Sequence, residues 1–240
     1  MPRPAPPEVS KDRTEPVEGQ CEQSRRRAAG GVAEPLHVRH RMRVSEMELH
    51  DTLHRLIPYR LHAIETFNIV LRLRNTWGSA QPMQLFINEK LVIEGNSNAF
   101  TNPAIETGIV HCRALLEFLG LGMSPAGVLQ GLQRPRRQDD VGIEHYSNAN
   151  GPLAIVSPEQ ALPRWPGGVA EAEQALLSVF RAANKGLAHL TMSFAESPAE
   201  ARLLEIASRA VPALVASYLY TPLGLSAPDR QITARPREHS

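Results

Sequence analysis

Arg181, Lys185 and His189 recur every four residues along the chain, with Asn184 beside them. On a helix that spacing aligns a guanidinium, an ammonium and an imidazole along one stripe. A histidine titrates near neutral pH and can move a proton, and a neighbouring cation can stabilise charge growing on a phosphate. Together these are the minimum parts for cutting RNA without a metal, the ribose 2′-hydroxyl attacking the adjacent phosphorus. The plainer reading is a solvated helix face whose terminal His189 suits the helix dipole. A second candidate is Arg113, which shares its helix with Glu106 and Glu117. It either forms an intrahelical ion pair worth roughly a few tenths of a kcal/mol, or it or His111 reaches the bundle interior as a buried anchor that orients Asn184 or binds a phosphate. The third is a histidine set. His50 and His54 are four apart, a legitimate two-ligand geometry, with His62, His111 or His189 as further donors. None of these histidines lies in a Glu-x-x-His motif, so neither a metal nor a cofactor is expected.

The elements that must position these groups read as helices. From 168 to 191 apolar residues fall at Val169, Ala172, Leu176, Val179, Phe180, Ala183, Leu187 and Leu190, one stripe nearly opposite the cationic one. Ser178, Ala182 and Gly186 flank the cations and would let a helix or ligand approach closely. Ser45 with Glu48 predicts a capping box, with Leu49, Leu53 and Leu56 continuing the period until Pro58 breaks or kinks the helix. A second run, 59 to 75, places Leu61, Ile64, Val70 and Leu71 inside. Met83 to Ile93 is the one segment where a strand is conceivable, and Gly95 to Asn98 reads as a loop. Asn102-Pro103 predicts a cap and first-turn proline for a helix to about Leu119, burying Ile105, Ile109, Cys112, Leu115, Leu116 and Leu119. Ser124-Pro125 predicts a shorter helix, and Gly120 to Met123 a helix terminator rather than a phosphate loop. Residues 134 to 166 are the least regular, with a turn of helix from Ser157. Within them Arg134-Pro135-Arg136-Arg137, followed by Asp139-Asp140, reads as a solvated loop or a local RNA or protein contact. Ser197 to Glu200 predicts another capping box, opening a helix through Tyr218 that Pro212 kinks. The expected fold is all-α, a bundle of about five or six helices over residues 44–221.

Residues 1–43 and 222–240 are expected to be disordered tails, too poor in periodic aliphatic residues to offset ordering entropy. Met42 and Met47 stand where helical order begins and are candidate starts of the native chain. The formal net charge is +1, but residues 44–221 carry fourteen Lys/Arg against seventeen Asp/Glu. That excludes a dedicated duplex-DNA binder, which shows a basic face and a basic total; nucleic-acid contact would be local. Two cysteines, Cys21 and Cys112, imply no disulfide framework. The N-terminus has no signal-like apolar run, and the longest apolar stretches are too short for a bilayer. A cytoplasmic protein without membrane contact is expected.

The phrase Asn184-Lys185-Gly186-Leu187-Ala188-His189-Leu190-Thr191, closing a long helix and preceded by a helix reading His111 to Leu119, resembles the HEPN superfamily. Gln138-Asp139-Asp140-Val141 and Trp165 resemble bacterial members near its abortive-infection branch. The resemblance covers roughly residues 60 to 195 and rests on short motifs. It implies a bundle of four or more helices, commonly a homodimer, with an RNA or protein partner. It also implies a motif of an arginine, a polar residue, then four to six positions to a histidine, which cleaves RNA in many toxins. Asn184 and His189 match the polar and histidine positions, but Ala183 stands where the arginine belongs, and Arg181 lies two residues further back. The implied site is therefore His189 as acid/base, Asn184 positioning it, and Arg181, Lys185 or Arg113 facing phosphate. A chain that kept the fold as a non-enzymatic interaction protein is the alternative.

Overall fold

The first helix, α1 (Glu46–Asp51), starts as the capping box predicts: the Ser45 amide donates to Glu48 Oε2 at 2.8 Å and the Glu48 amide to Ser45 Oγ at 3.3 Å. In this computed structural model residues 44–137, 139–165, 168–187, 197–229 and 232 are described, with backbone only at 164 and 185–187. The tail assigned to 1–43 lies outside them. Pro58 does not break the chain's helical path. A π turn, Thr52–Leu56, leads directly into α2 (Ile57–Trp77), and the Ile57 amide reaches back to the Thr52 carbonyl. The widened turn takes up the proline ring that would clash in a regular helix. It also leaves the Leu53 carbonyl without its usual amide, since Ile57 donates elsewhere and Pro58 has no N–H. The buried Tyr220 hydroxyl fills the gap, donating to Leu53 O at 3.1 Å. Burial pushes the Tyr220 hydroxyl up to about 12, so it stays protonated as a donor. Tyr220→Phe leaves that carbonyl buried and unsatisfied and should lower unfolding free energy by about 2 kcal/mol, measurable by urea titration.

The molecule is mostly helical, but it is not all-α. Among the described residues three antiparallel strand pairs interrupt the helices. The segment 82 to 96 is a hairpin of β1 (Pro82–Ile87) and β2 (Lys90–Asn96). Asn88 and Glu89, at φ of 48° and 65°, form the two-residue turn that matches strand twist. Gly95 and Asn96 belong to β2 rather than to a loop. Buried Ser97 ties the base of the hairpin: its amide donates to Gln81 O at 2.8 Å, and the Gln81 amide to Ser97 Oγ at 2.9 Å. The next helix, α3 (Asn98–Leu119), therefore begins four residues before the expected cap at Asn102, with Pro103 inside it. All six residues expected on its buried face are buried.

Gly120, at φ 98°, ends α3 as a terminator. Ser124-Pro125 opens no helix. It makes the turn between β3 (Leu121–Met123) and β4 (Leu129–Gly131). The Val128 amide donates to Ser124 Oγ and the Ser124 amide to the Val128 carbonyl, so the serine closes a loop instead of capping a helix. A third short pair, β5 (Ser147–Asn148) with β6 (Gly151–Pro152), precedes the single helical turn α4 (Pro158–Ala161) after Ser157. The long helix is α5 (Val169–Arg181), continued by a π turn, Ala182–Leu187. Its apolar stripe is buried from Ala172 to Ala183, but Val169 is exposed, and Ser178 and Ala182, placed beside the cations, are buried. The last helix, α6 (Pro198–Val215), runs through Pro212 into a π turn, Ala216–Tyr220; Ser197 sits at its N-cap without a side-chain cap bond.

The core forms where α2 packs along α3 and α6 packs against α5, α2 and α3. Residues from 222 depart from a disordered tail through Asp229. Asn148 Nδ2 donates to the Pro222 carbonyl at 3.1 Å, and His62 Nε2 meets the Asp229 carbonyl at 3.0 Å. No described helix is long and apolar enough to cross a membrane.

Candidate functional site

The C-terminal half of α3 presents two polar side chains in different directions. His111 is buried toward α2, where Arg60 Nη1 meets its Nδ1 at 3.0 Å and Tyr59 packs edge-on at 5.2 Å. Burial, and then the Arg60 charge, hold its imidazole below the ordinary histidine range, so it is neutral. Two positions on, Arg113 faces outward instead. Its Nε donates to Glu117 Oε1 at 2.9 Å, the expected i,i+4 pair, and its Nη1 donates to Asn184 Oδ1 at 2.6 Å. Arg113 and Asn184 are 71 residues apart in sequence and meet because α3 packs against the π turn that follows α5.

That contact forms one wall of a cleft of about 330 Å³. The opposite wall is the loop after β4, carrying Arg134, Arg136 and Arg137, with Asp140 at its end. Arg136 is not solvated as the loop reading expects; its side chain is 11% exposed. Its Nε and Nη2 reach both Glu144 carboxylate oxygens, at 2.8 and 3.3 Å, while Nη1 and Nη2 donate to the Glu117 and Phe118 carbonyls at 2.8 and 2.9 Å. One guanidinium thus caps the end of α3, donating to the Phe118 carbonyl and to the Glu117 carbonyl that also accepts the Gly120 amide, and pins the loop there. Burial pushes the Glu144 carboxyl upward, but the Arg136 hydrogen bond, a backbone amide and the charges of Arg136 and His145 outweigh it and hold the group below its ordinary value. Gly142 makes room: a Cβ there would lie 2.0 Å from Arg136 Nε.

Four arginines and two carboxylates line the cleft. Glu117 is paired with Arg113, and Asp140 accepts from the Arg137 amide at 3.2 Å. Arg134 and Arg137 are exposed, and among the described residues their guanidinia form no ion pair. The surplus is positive and its donors suit phosphate oxygens. No histidine lines the described part of the cleft, so what is described can bind an anion, while proton transfer would have to come from elsewhere.

The stripe that opened the sequence reading is only partly brought here. Asn184 is exposed and at the cleft. Arg181 turns away, its Nη2 lying over Gln174 at 3.4 to 3.5 Å. His189 lies outside the described residues, and of Lys185 only the backbone is described. Ala183 is buried, so the position before Asn184 faces the core and not the cleft. His50 and His54 stack on each other, ring centroids 4.4 Å apart. Among the described residues no three His, Cys, Asp or Glu side chains gather as a metal site. Cys112 is fully buried, which pushes its thiol up and keeps it protonated. The arginines of the loop after β4 read in the sequence as a solvated loop or a local RNA or protein contact, without separate roles. Three arginines in four residues marked the loop as cationic, but nothing in the run distinguished Arg136, which is structural, from Arg134 and Arg137. Comparison with protein-family models, with curated proteins and with solved structures found no match to this chain.

Proposed function

We propose that this chain is an HEPN-like helical protein that binds RNA in the cleft between α3 and the loop after β4. The observation that carries the reading is the Arg113–Asn184 hydrogen bond. It puts a guanidinium beside the polar position of the resembling motif, although the position that normally supplies one is Ala183. With Ala183 buried, an arginine there would have to bury its charge, which is costly without a partner. Arg113 supplies the cation from another helix. Arg134 and Arg137 extend the phosphate-binding surface, and Asn184 positions the backbone being bound. In the cleaving form of this reading His189 is the acid/base that lets the 2′-hydroxyl attack, with Lys185 facing phosphate, and the protein works as a homodimer without a cofactor. The second reading is a non-enzymatic interaction protein. It is favoured by Ala183 and by Arg181, which lies along Gln174 instead of toward Asn184.

Filter binding of single-stranded RNA by the purified chain tests the proposal. Arg113→Ala and Arg137→Ala should each weaken binding by roughly tenfold and each lower the salt slope by about 1, as loss of one phosphate contact requires. Wild-type protein that does not retain RNA at low salt overturns the RNA reading. Cleavage is scored in parallel: His189→Ala should abolish it, and intact RNA after incubation with wild-type protein leaves binding alone.

A further inference from the structure

The β1–β2 hairpin stands out from the helical body with its apolar side chains in solvent. Leu85, Phe86, Ile87, Leu91, Val92 and Ile93 are between 41% and 57% exposed. A two-stranded hairpin alone is only marginally stable in water, and an open, apolar strand edge is a template for pairing. Neither strand has a second strand neighbour among the described residues. The six side chains leave on the order of 600 Å² of apolar surface in water on each copy, approaching the roughly 800 Å² per partner that a specific dimer buries.

The charges on the arm say what covers it. Lys90-Leu91-Val92-Ile93-Glu94 reads with opposite charges at its two ends around an apolar triplet. Laid antiparallel on a second copy about a two-fold through Val92, it sets Lys90 of each copy opposite Glu94 of the other, and Leu91 opposite Ile93. Lys90 has no ion pair among the described residues, and Glu94 is met only by the neutral Gln84 amide, at 3.0 Å. Val92 is also the residue that β1 leaves unmatched: Leu85 pairs with Ile93 and Phe86 with Leu91. Such a bulge increases the local twist, so the four-stranded sheet that two arms would form is twisted instead of flat. With Glu89 and Glu94 against Lys90, the arm is net acidic, a poor match for RNA or an anionic bilayer.

We infer that this hairpin is a self-association arm, and that two copies of the chain join through antiparallel β2 segments centred on Val92. This locates the dimer of the reading above and is independent of what the cleft binds. Sedimentation velocity of the full chain across the micromolar range tests it. Lys90→Glu and Glu94→Lys should each weaken association by roughly tenfold, because each sets like charges opposite one another twice. The double swap should restore association, which a merely structural role for either residue would not produce. Val92→Asp should leave a monomer with unchanged circular dichroism, while Arg113→Ala should leave the dimer intact. A wild-type chain that stays monomeric, a double swap that fails to restore it, or a dimer indifferent to Val92→Asp overturns the inference. So does an arm that binds phosphatidylcholine vesicles as a monomer.

Discussion

Gly108→Ala lowers the free energy of unfolding by about 3 kcal/mol, although alanine is the better helix former by about 1 kcal/mol. The glycine sits in the middle of α3, where a Cβ would lie 2.3 Å from both Cβ and Cγ of Phe67 on α2. Phe67 is fully buried. Its Cβ is also fixed to the α2 backbone, so the clash cannot be relieved by turning the ring. Shortening Phe67 to alanine keeps that Cβ in place, and the double variant Gly108→Ala, Phe67→Ala should therefore be less stable than either single one. The helices must separate instead, opening the contact between α2 and α3 at this position. Thermal unfolding should show a midpoint lowered by roughly 8 °C. An unchanged midpoint would mean that α2 and α3 do not approach as described.

Such a contact is invisible in the sequence, where Gly108 reads only as a weak point in a helix. What was legible follows from periodicity. The buried residues of α3 and most of those on α5 recur at helical spacing, and the Ser45–Glu48 box names its own bonds. What failed was punctuation. The hairpin turn is Asn88-Glu89, and a glutamate at positive φ gives none of the signal that Asn-Gly would. Ser124-Pro125 carries the residues of a helix start, yet Gly127, at φ 78°, closes a strand turn with the same serine. Prolines misled for a related reason. Pro58 and Pro103 usually mark boundaries, but a π turn accommodates the first and α3 runs through the second. In each case the deciding partner was distant: Tyr220 for the turn before Pro58, and Gln81 for the serine that starts α3.

The site was legible to the same extent. Arg113 and Asn184 could be named as candidates because each lies on a helix whose apolar face was clear. Their meeting depends on how α3 and α5 cross, which no spacing within either segment encodes. Arg181 marks where the pattern stops carrying the argument. Sharing a stripe with Lys185 and His189 assumes a regular α-helix, and the π turn from Ala182 changes the angular relation between the residues before it and those within it. A register argument that is sound for Ala172 to Val179 does not carry across that turn.

Arg136→Ala should cost about 3 kcal/mol at neutral pH, because it strips a partly buried carboxylate and two helix-end carbonyls of one shared donor. The pH dependence identifies the cause. In the wild-type chain Glu144 is held below its ordinary value of 4.5, so its contribution is complete above 4.5 and fades as pH falls through the lowered value. Without Arg136 its hydrogen bond and its charge no longer oppose the burial, and the carboxyl titrates at a higher pH than in the wild-type chain. The variant then gains stability relative to wild type as it protonates, and the gap between the two should narrow between pH 7 and pH 4. Glu144→Gln in the Arg136→Ala background should remove that narrowing, since the titrating group is gone. Arg136→Lys should recover little, as one ammonium cannot reach four acceptors held in a planar fork. The same variant should weaken RNA retention, because the loop that carries Arg134 and Arg137 is pinned to α3 by this one side chain. Urea titrations at both pH values decide it: a gap of constant size would remove Glu144 from the account and leave Arg136 as a cap on α3 alone.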